Sequence, residues 1–126
     1  AMMRIISANL NGIRAAGRKG FFEWMLAQDA DFICVQETKA QMAVLTDPFY
    51  RPQPYYYAFS DAQKKGYSGV GIYAKVEPNQ IIDRLDYPLS DSEGRYIQFD
   101  YDFFLIVDVK IYRSLIFHIK IPKYLK

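Results

Sequence analysis

Two asparagines and one glutamate near the start of the chain have the residue types and the spacing of a metal site. Asn9 and Asn11 directly follow one apolar run, and Glu37 directly follows a second one. A hard cation such as Mg²⁺ takes oxygen ligands, usually one or two carboxylates, and keeps several of its waters. Glu37 can supply the carboxylate, and the two amides can add oxygen or orient a phosphate. These residues therefore predict a divalent metal ion beside a phosphate group.

A lysine and a glycine-rich segment add groups that can bind phosphate. Lys39 stands two residues after Glu37 and can act as a point charge. Residues 64–71 hold two lysines, three glycines, a tyrosine and a serine, which suits close approach to phosphates. Each feature also has an ordinary structural interpretation, because turns, helix caps and hairpin loops use the same residue types. Taken one at a time, these ordinary interpretations are the more common ones.

The surrounding elements predict one sheet edge at which the polar residues meet. Residues 3–8 have the pattern of a strand, residues 15–30 that of an amphipathic helix, and residues 31–36 that of a buried strand. This order predicts a right-handed crossover unit. Ligands of open α/β sheets bind outside the carboxyl ends of the strands, so the polar residues are expected to face one site.

The sequence as far as residue 102 predicts a mixed sheet with flanking helices. A short helical turn is expected over residues 40–45, followed by an irregular proline-rich connection. Further strands are predicted over residues 55–59, 69–75, 81–85 and 95–102. This order of elements favours a single α/β domain.

Beyond residue 102 the composition changes. All seven glycines and all eleven alanines precede this point. Residues 103–126 hold five of the 16 basic residues and one of the 14 acids, a net +4 that leaves −2 for residues 1–102. The overall basic balance is therefore no argument that residues 1–102 bind nucleic acid. Ile, Lys, Phe, Leu and Tyr dominate the tail, as in AT-rich DNA translated in a wrong frame. We favour a frameshifted or truncated tail over the alternative, an ordinary terminal strand pair.

Cysteine use and hydropathy limit the class of protein. Cys34, the one cysteine, lies within an apolar run and is expected to be a buried thiol, so no disulfide forms within the chain. The longest apolar runs fall far short of the ~20 residues that span a bilayer, and no signal-peptide pattern is present. The sequence therefore predicts a cytoplasmic protein without a membrane segment.

Four segments resemble, in order and spacing, the first four motifs of the exonuclease III and apurinic/apyrimidinic endonuclease family. Their sequences are IISANLNGIR (5–14), VQETK (35–39), KGYSGV (65–70) and EGR (93–95). The wider superfamily includes sphingomyelinases and DNase I, but the QETK and GYSGVG forms are those of the DNA-repair branch. The resemblance implies that the chain is the N-terminal half of a four-layer α/β sandwich.

The resemblance also implies an activity and residue roles. Family members use Mg²⁺, with Mn²⁺ as a possible substitute, to hydrolyse the phosphodiester 5′ to an abasic site and to degrade duplex DNA from its 3′ end. Glu37 matches the metal-binding glutamate, Asn9 matches an asparagine that supports the metal and phosphate, and Asn11 stands where some members have aspartate. Four residues match positions along the DNA: Arg14, Lys39, Gly66 and Tyr67.

The sequence departs from the family in its second half. Full-length members carry a tyrosine, an Asp-x-Asn pair and a terminal Ser-Asp-His there, and His118 lacks the preceding aspartate. We therefore expect the chain to be inactive by itself, with a non-catalytic DNA- or metal-binding remnant and an interaction module as alternatives. The missing half would form the second sheet, so the apolar inner face of the first sheet is expected to need a cover, either the tail from Phe103 to Ile121 folded back or, as we favour, a second copy of the chain.

Overall fold

The computed structural model describes residues 2–84, 94–111 and 114–120, with the backbone alone for residue 111 and for residues 114–120. The helices are α1 (Ile13–Arg18), α2 (Phe21–Gln28) and α3 (Met42–Leu45), followed by a 3-10 turn (Pro48–Tyr50). The strands are β1 (Ile5–Asn9), β2 (Phe32–Gln36), β3 (Tyr56–Ser60), β4 (Val70–Ala74), β5 (Gln80–Ile82), β6 (Tyr96–Asp100), β7 (Leu105–Ile111) and β8 (Ser114–Lys120). Leu85, which ends a predicted strand, and Glu93 of the EGR segment lie outside the described residues.

The first sheet is mixed, as predicted, with the strand order β1-β2-β4-β3. β1 pairs with β2 in parallel, and β4 pairs antiparallel with both β2 and β3. The parallel register places Asn9 opposite Gln36, so β1 and β2 end at the same edge. The segments that follow these two strands therefore start next to each other.

One predicted helix is two helices in the structure, and the expectation of a single helix over residues 15–30 is wrong. α1 ends at Arg18, and α2 begins at Phe21 after Gly20, whose φ of 95° is left-handed. A helix cannot continue through such a residue, so the chain turns there. The two short helices bury Ile13, Phe22 and Met25 against one face of the first sheet.

The second sheet, which includes β7 of the tail, covers the other face of the first sheet, so the favoured cover, a second copy of the chain, is corrected to this sheet. Its strand order is β5-β6-β7-β8, and all neighbouring strands are antiparallel. Cys34 and Ile72 of the first sheet pack in one buried cluster with Ile97, Phe99 and Ile106 of the second. The described residues thus form three layers, with helices, first sheet and second sheet in that order. The predicted α/β class is confirmed. The expected self-association rested on an exposed apolar face, and this face is covered in the structure.

The tail forms a strand pair, which was the less favoured of the two alternatives. β7 and β8 pair along their full length, from Leu105 opposite Lys120 to Ile111 opposite Ser114. A frameshifted origin of this segment stays a prediction.

The thiol of Cys34 is fully buried, as expected, and burial, with a contribution from Asp108, raises its pKa. Within the described ranges, no helix has the length and hydropathy needed to cross a membrane.

Candidate metal and phosphate site

Backbone hydrogen bonds join the segments that follow β1 and β2. The amides of Leu10, Gly12 and Ile13 donate to the carbonyl oxygens of Gln36, Glu37 and Thr38 at 2.9, 2.8 and 2.8 Å. The two segments therefore run together beyond the end of the sheet. This pairing fixes the side chains that follow β1 relative to those that follow β2.

The glycine-rich segment before β4 is attached to the same edge. The amides of Thr38 and Lys39 donate to the carbonyl oxygens of Gly69 and Ser68 at 3.1 and 2.7 Å. The amide of Gly69 in turn donates to the carbonyl oxygen of Gly94 at 3.1 Å. The four sequence segments that resemble the family motifs therefore meet at one edge of the first sheet.

The predicted metal residues Asn9 and Glu37 are in direct contact. The side-chain amide of Asn9 donates to Oε2 of Glu37, and its Oδ1 accepts from the backbone amide of Asn11 at 3.1 Å. Asn11 and Glu37 have left-handed φ values of 47° and 50°. Such conformations are uncommon outside glycine and cluster at functional sites, where the surrounding structure holds them. The half-buried Glu37 carboxylate is thus oriented by Asn9.

The basic residues Lys39 and Arg14 lie beside this pair. Nζ of Lys39 donates to Oδ1 of Asn11 at 2.6 Å, and Nη2 of Arg14 donates to the carbonyl oxygen of Lys39 at 3.2 Å. The oxygen that Asn11 would offer to a metal is therefore occupied by an ammonium group. The role of Asn11 as a metal ligand stays a prediction. In the structure, Asn11 holds Lys39 next to the Asn9–Glu37 pair.

Gly66 and Tyr67 lie in the exposed part of the glycine-rich segment. Tyr67 is 59% exposed, and Nζ of Lys64 lies 4.2 Å from the centre of its ring, a cation–π contact. Gly66 is exposed as well. Ser68, which follows them, accepts the hydrogen bond of the Lys39 amide, so the segment projects beside Lys39. A DNA-binding role for both residues remains a prediction.

A buried polar pair beneath the site was missed by the sequence analysis. The side-chain amide of Gln36 donates to Oδ1 of Asp108 at 2.9 Å and to Oγ of Ser7 at 3.1 Å. Asp108 is fully buried, and burial raises the pKa of its carboxyl to about 8 against the lowering effect of hydrogen bonds from Gln36 and the Gly71 amide. The signal in the sequence was a lone acid within the apolar strand β7. Because the composition of residues 103–126 favours a frameshifted tail, no structural role was expected for Asp108.

The donor set fits a hard ion that is bound weakly. The described residues contain no cluster of three or more His, Cys, Asp or Glu side chains able to hold a metal. One carboxylate, from Glu37, and nearby amide oxygen make up the site. Mg²⁺ accepts such a set because it retains several waters and needs only one or two carboxylates from a protein.

The sequence and the fold are those of a known enzyme family. The sequence matches the model of the Endonuclease/Exonuclease/phosphatase family over residues 6–121, so the chain belongs to that family. This match confirms the resemblance found in the four motifs.

The individual relatives are DNA-repair nucleases. The chain is 38% identical to an exodeoxyribonuclease of Bacillus subtilis over 108 residues, which are 85% of this chain and 42% of the relative. It is 37% identical to a DNA-(apurinic or apyrimidinic site) endonuclease of Dictyostelium discoideum, covering 86% of this chain and 30% of the relative. Among solved structures, the catalytic domain of Xenopus laevis APE2 superposes with a TM-score of 0.73 at 29% identity, covering 89% of this chain and 46% of that one. The chain thus spans less than half the length of each.

Proposed function

We propose that this chain carries the metal- and phosphate-binding part of a DNA-repair nuclease. The substrate class is duplex DNA, with phosphodiester hydrolysis at abasic sites and removal of nucleotides from 3′ ends. One observation carries the proposal: the Asn9–Glu37 pair and Lys39 are joined through Asn11 at one strand edge. A carboxylate for a cation and an ammonium for a phosphate are thereby held side by side.

Each residue has a separate task in this proposal. Glu37 would hold Mg²⁺ or Mn²⁺, and a bound ion would stabilise negative charge on the phosphate and on the leaving oxygen. Asn9 fixes the orientation of the Glu37 carboxylate through its hydrogen bond. Lys39 holds a phosphate oxygen as a point charge. Arg14, which donates to the carbonyl oxygen of Lys39, and Tyr67, in the exposed part of the glycine-rich segment, would contact the DNA backbone.

A non-catalytic binding role is the second candidate. The observation in its favour is that the site within the described residues offers a single carboxylate, Glu37, for both the metal and the water. Hydrolysis needs a second group that aligns or deprotonates the attacking water. Metal binding and strand cleavage separate the two candidates.

Metal binding should depend on Glu37 alone among the acids of the chain. We expect Mg²⁺ or Mn²⁺ to bind in roughly the millimolar range, because one carboxylate and amides make a poor cage for a hard ion. Glu37→Gln should lower the affinity at least about tenfold, since an amide retains the contact to Asn9 but lacks the charge. Titration of Mn²⁺ followed by electron paramagnetic resonance measures the free ion directly.

The matched control is Glu77→Gln, an exposed glutamate that follows β4 at the opposite end of the sheet. It should bind Mn²⁺ as the unchanged chain does. A micromolar site that survives Glu37→Gln would show that the metal residues are assigned wrongly.

Cleavage of abasic DNA by this chain alone should not exceed background. The reason is that Glu37 is the one acid among the residues assigned to the site, so the site has no second acid assigned to activate water. The measurement is incubation of the purified chain with Mg²⁺ and a labelled duplex that contains one abasic analogue. Robust cleavage that disappears in Glu37→Gln would contradict the expectation and make the chain a nuclease in its own right.

A further inference from the structure

A groove of about 540 Å³ lies next to the candidate site, between the end of β1 and the two helices α1 and α2. Its floor includes Ala15 and Ala16, whose small side chains leave the groove open. β1 is an edge strand of the first sheet, so this side of the strand carries no neighbouring strand among the described residues. The volume is within the range of roughly 300–1,000 Å³ that is typical of small-ligand sites.

An aromatic platform forms one wall of the groove. Trp24 is 47% exposed, and its ring lies 6.0 Å from the ring of Phe21 with a tilt of 32° between the planes. Phe21 packs edge-on against Phe22 at 5.4 Å, and Phe22 is buried in the core. The platform is therefore supported by the core from below, while its tryptophan stays open to solvent.

The groove shares two of its lining residues with the candidate site. Asn9 and Asn11 both line the groove, and the same two side chains contact Glu37 and Lys39. Lys19 lies on the rim, and the described residues that line the groove include no carboxylate. A ligand in this groove would thus meet a flat aromatic surface, amide groups and a cation, and it would extend toward the phosphate-binding lysine.

We propose that this groove binds an unpaired nucleotide of the DNA strand whose phosphate lies at Asn9 and Lys39, with its base stacked on Trp24. The proposal rests on the proposed function, because the phosphate position defines where the base begins. An unpaired base is favoured over a paired one, since stacking on a side chain requires a π face that duplex neighbours do not cover. Amides and Lys19 suit the sugar and the adjacent phosphate.

Trp24 is the one tryptophan of the chain, so tryptophan fluorescence reports directly on this groove. Duplex DNA with a few unpaired nucleotides at its 3′ end should quench the fluorescence of Trp24 in the full chain. A blunt duplex of the same sequence should bind roughly tenfold more weakly, since it offers no free base to stack. Titrations in EDTA exclude any contribution of metal binding or cleavage.

Two substitutions make the test specific to the groove. Trp24→Leu should weaken binding of the overhang duplex roughly tenfold, measured by anisotropy of labelled DNA, and should leave blunt-duplex binding unchanged. Tyr56→Leu is the matched control, because Tyr56 is 45% exposed on β3 at the far edge of the same sheet. It should bind both duplexes as the unchanged chain does.

The outcomes separate this proposal from the proposed function. Quenching by the overhang duplex that persists in EDTA and in Glu37→Gln supports the groove even if metal binding or cleavage fails. Equal binding of blunt and overhang duplexes, or no effect of Trp24→Leu, overturns it. A change of Trp24 fluorescence with protein concentration in the absence of DNA, together with larger particles in light scattering, would also overturn the proposal. The groove would then be a contact between copies of the chain.

Discussion

Replacing Asp108 with asparagine is expected to stabilise the fold at neutral pH by about 2–4 kcal/mol, since each unit of pKa shift corresponds to about 1.4 kcal/mol. Asp108 is fully buried, and burial raises the pKa of its carboxyl from 3.8 to about 8. The folded chain therefore binds a proton here at neutral pH that the unfolded chain releases. Stability from this group is fully present below pH 4 and is lost as the pH rises to about 8.

Geometry explains why asparagine should fit. Oδ1 of Asp108 accepts from the amide of Gln36, whereas Oδ2 of Asp108 and Oε1 of Gln36 are buried without a partner. Both orphaned atoms are acceptors when the acid is ionised. Protonation turns Oδ2 into a donor, and the amide nitrogen of an asparagine would be a donor at every pH. Asp108 also contributes, after burial, to the raised pKa of the Cys34 thiol.

Urea denaturation at pH 5 and at pH 7.5 measures this difference. The variant should gain stability relative to the unchanged chain as the pH rises, and the two should differ less at pH 5. Asp83→Asn serves as the control, because Asp83 is exposed and its ion pair with Arg84 spans 3.8 Å at the surface. Equal pH dependence of Asp108→Asn and the unchanged chain would mean that Asp108 is ionised inside the fold.

Replacing Gly69 with alanine should destabilise the fold by roughly 3 kcal/mol or more and should separate two of the segments that form the site. A β-carbon at residue 69 would lie 2.0 Å from Oγ1 of Thr38, and Thr38 is 1% exposed. The side chain of Thr38 therefore has little room to move aside. The hydrogen bond from the Thr38 amide to Gly69 would have to lengthen, which would displace Glu37 and Lys39 on either side.

A matched glycine separates this steric clash from backbone strain. Gly12 has a φ of 106°, close to the 96° of Gly69, but a β-carbon there meets nothing within 4 Å. Gly12→Ala should therefore show the strain of the positive φ alone, about 1–3 kcal/mol. Urea denaturation gives both values.

Adding Thr38→Ala to Gly69→Ala should restore much of the lost stability, because it removes the atom that clashes. Oγ1 of Thr38 has no hydrogen-bond partner among the described residues, so its removal costs little. If Gly69→Ala and Gly12→Ala lower the free energy of unfolding equally, the close approach of Gly69 to Thr38 does not contribute to stability.

The sequence by itself predicted the two strands that position the candidate site and the residues assigned to that site. The strands β1 and β2 follow from short apolar runs, and the polar residues after them meet because parallel strands end at one edge. Asn9 and Glu37 could therefore be placed together from local pattern alone. The family resemblance added their chemistry, and the family match confirms that membership.

Tertiary structure alone decided which distant surfaces are covered. Gln36 and Asp108 are 72 positions apart, and no local pattern shows that one will become the buried partner of the other. The composition of residues 103–126 favoured a frameshifted or truncated tail over a terminal strand pair, because composition and periodicity describe an element but not the sheet that it joins. Burial of the first sheet's inner face provides the free energy that places β6 and β7 there, and this energy depends on contacts between segments far apart in the chain. The exposure of Trp24 has the same origin, since the packing of Phe22 and Met25 fixes which side of α2 faces the core.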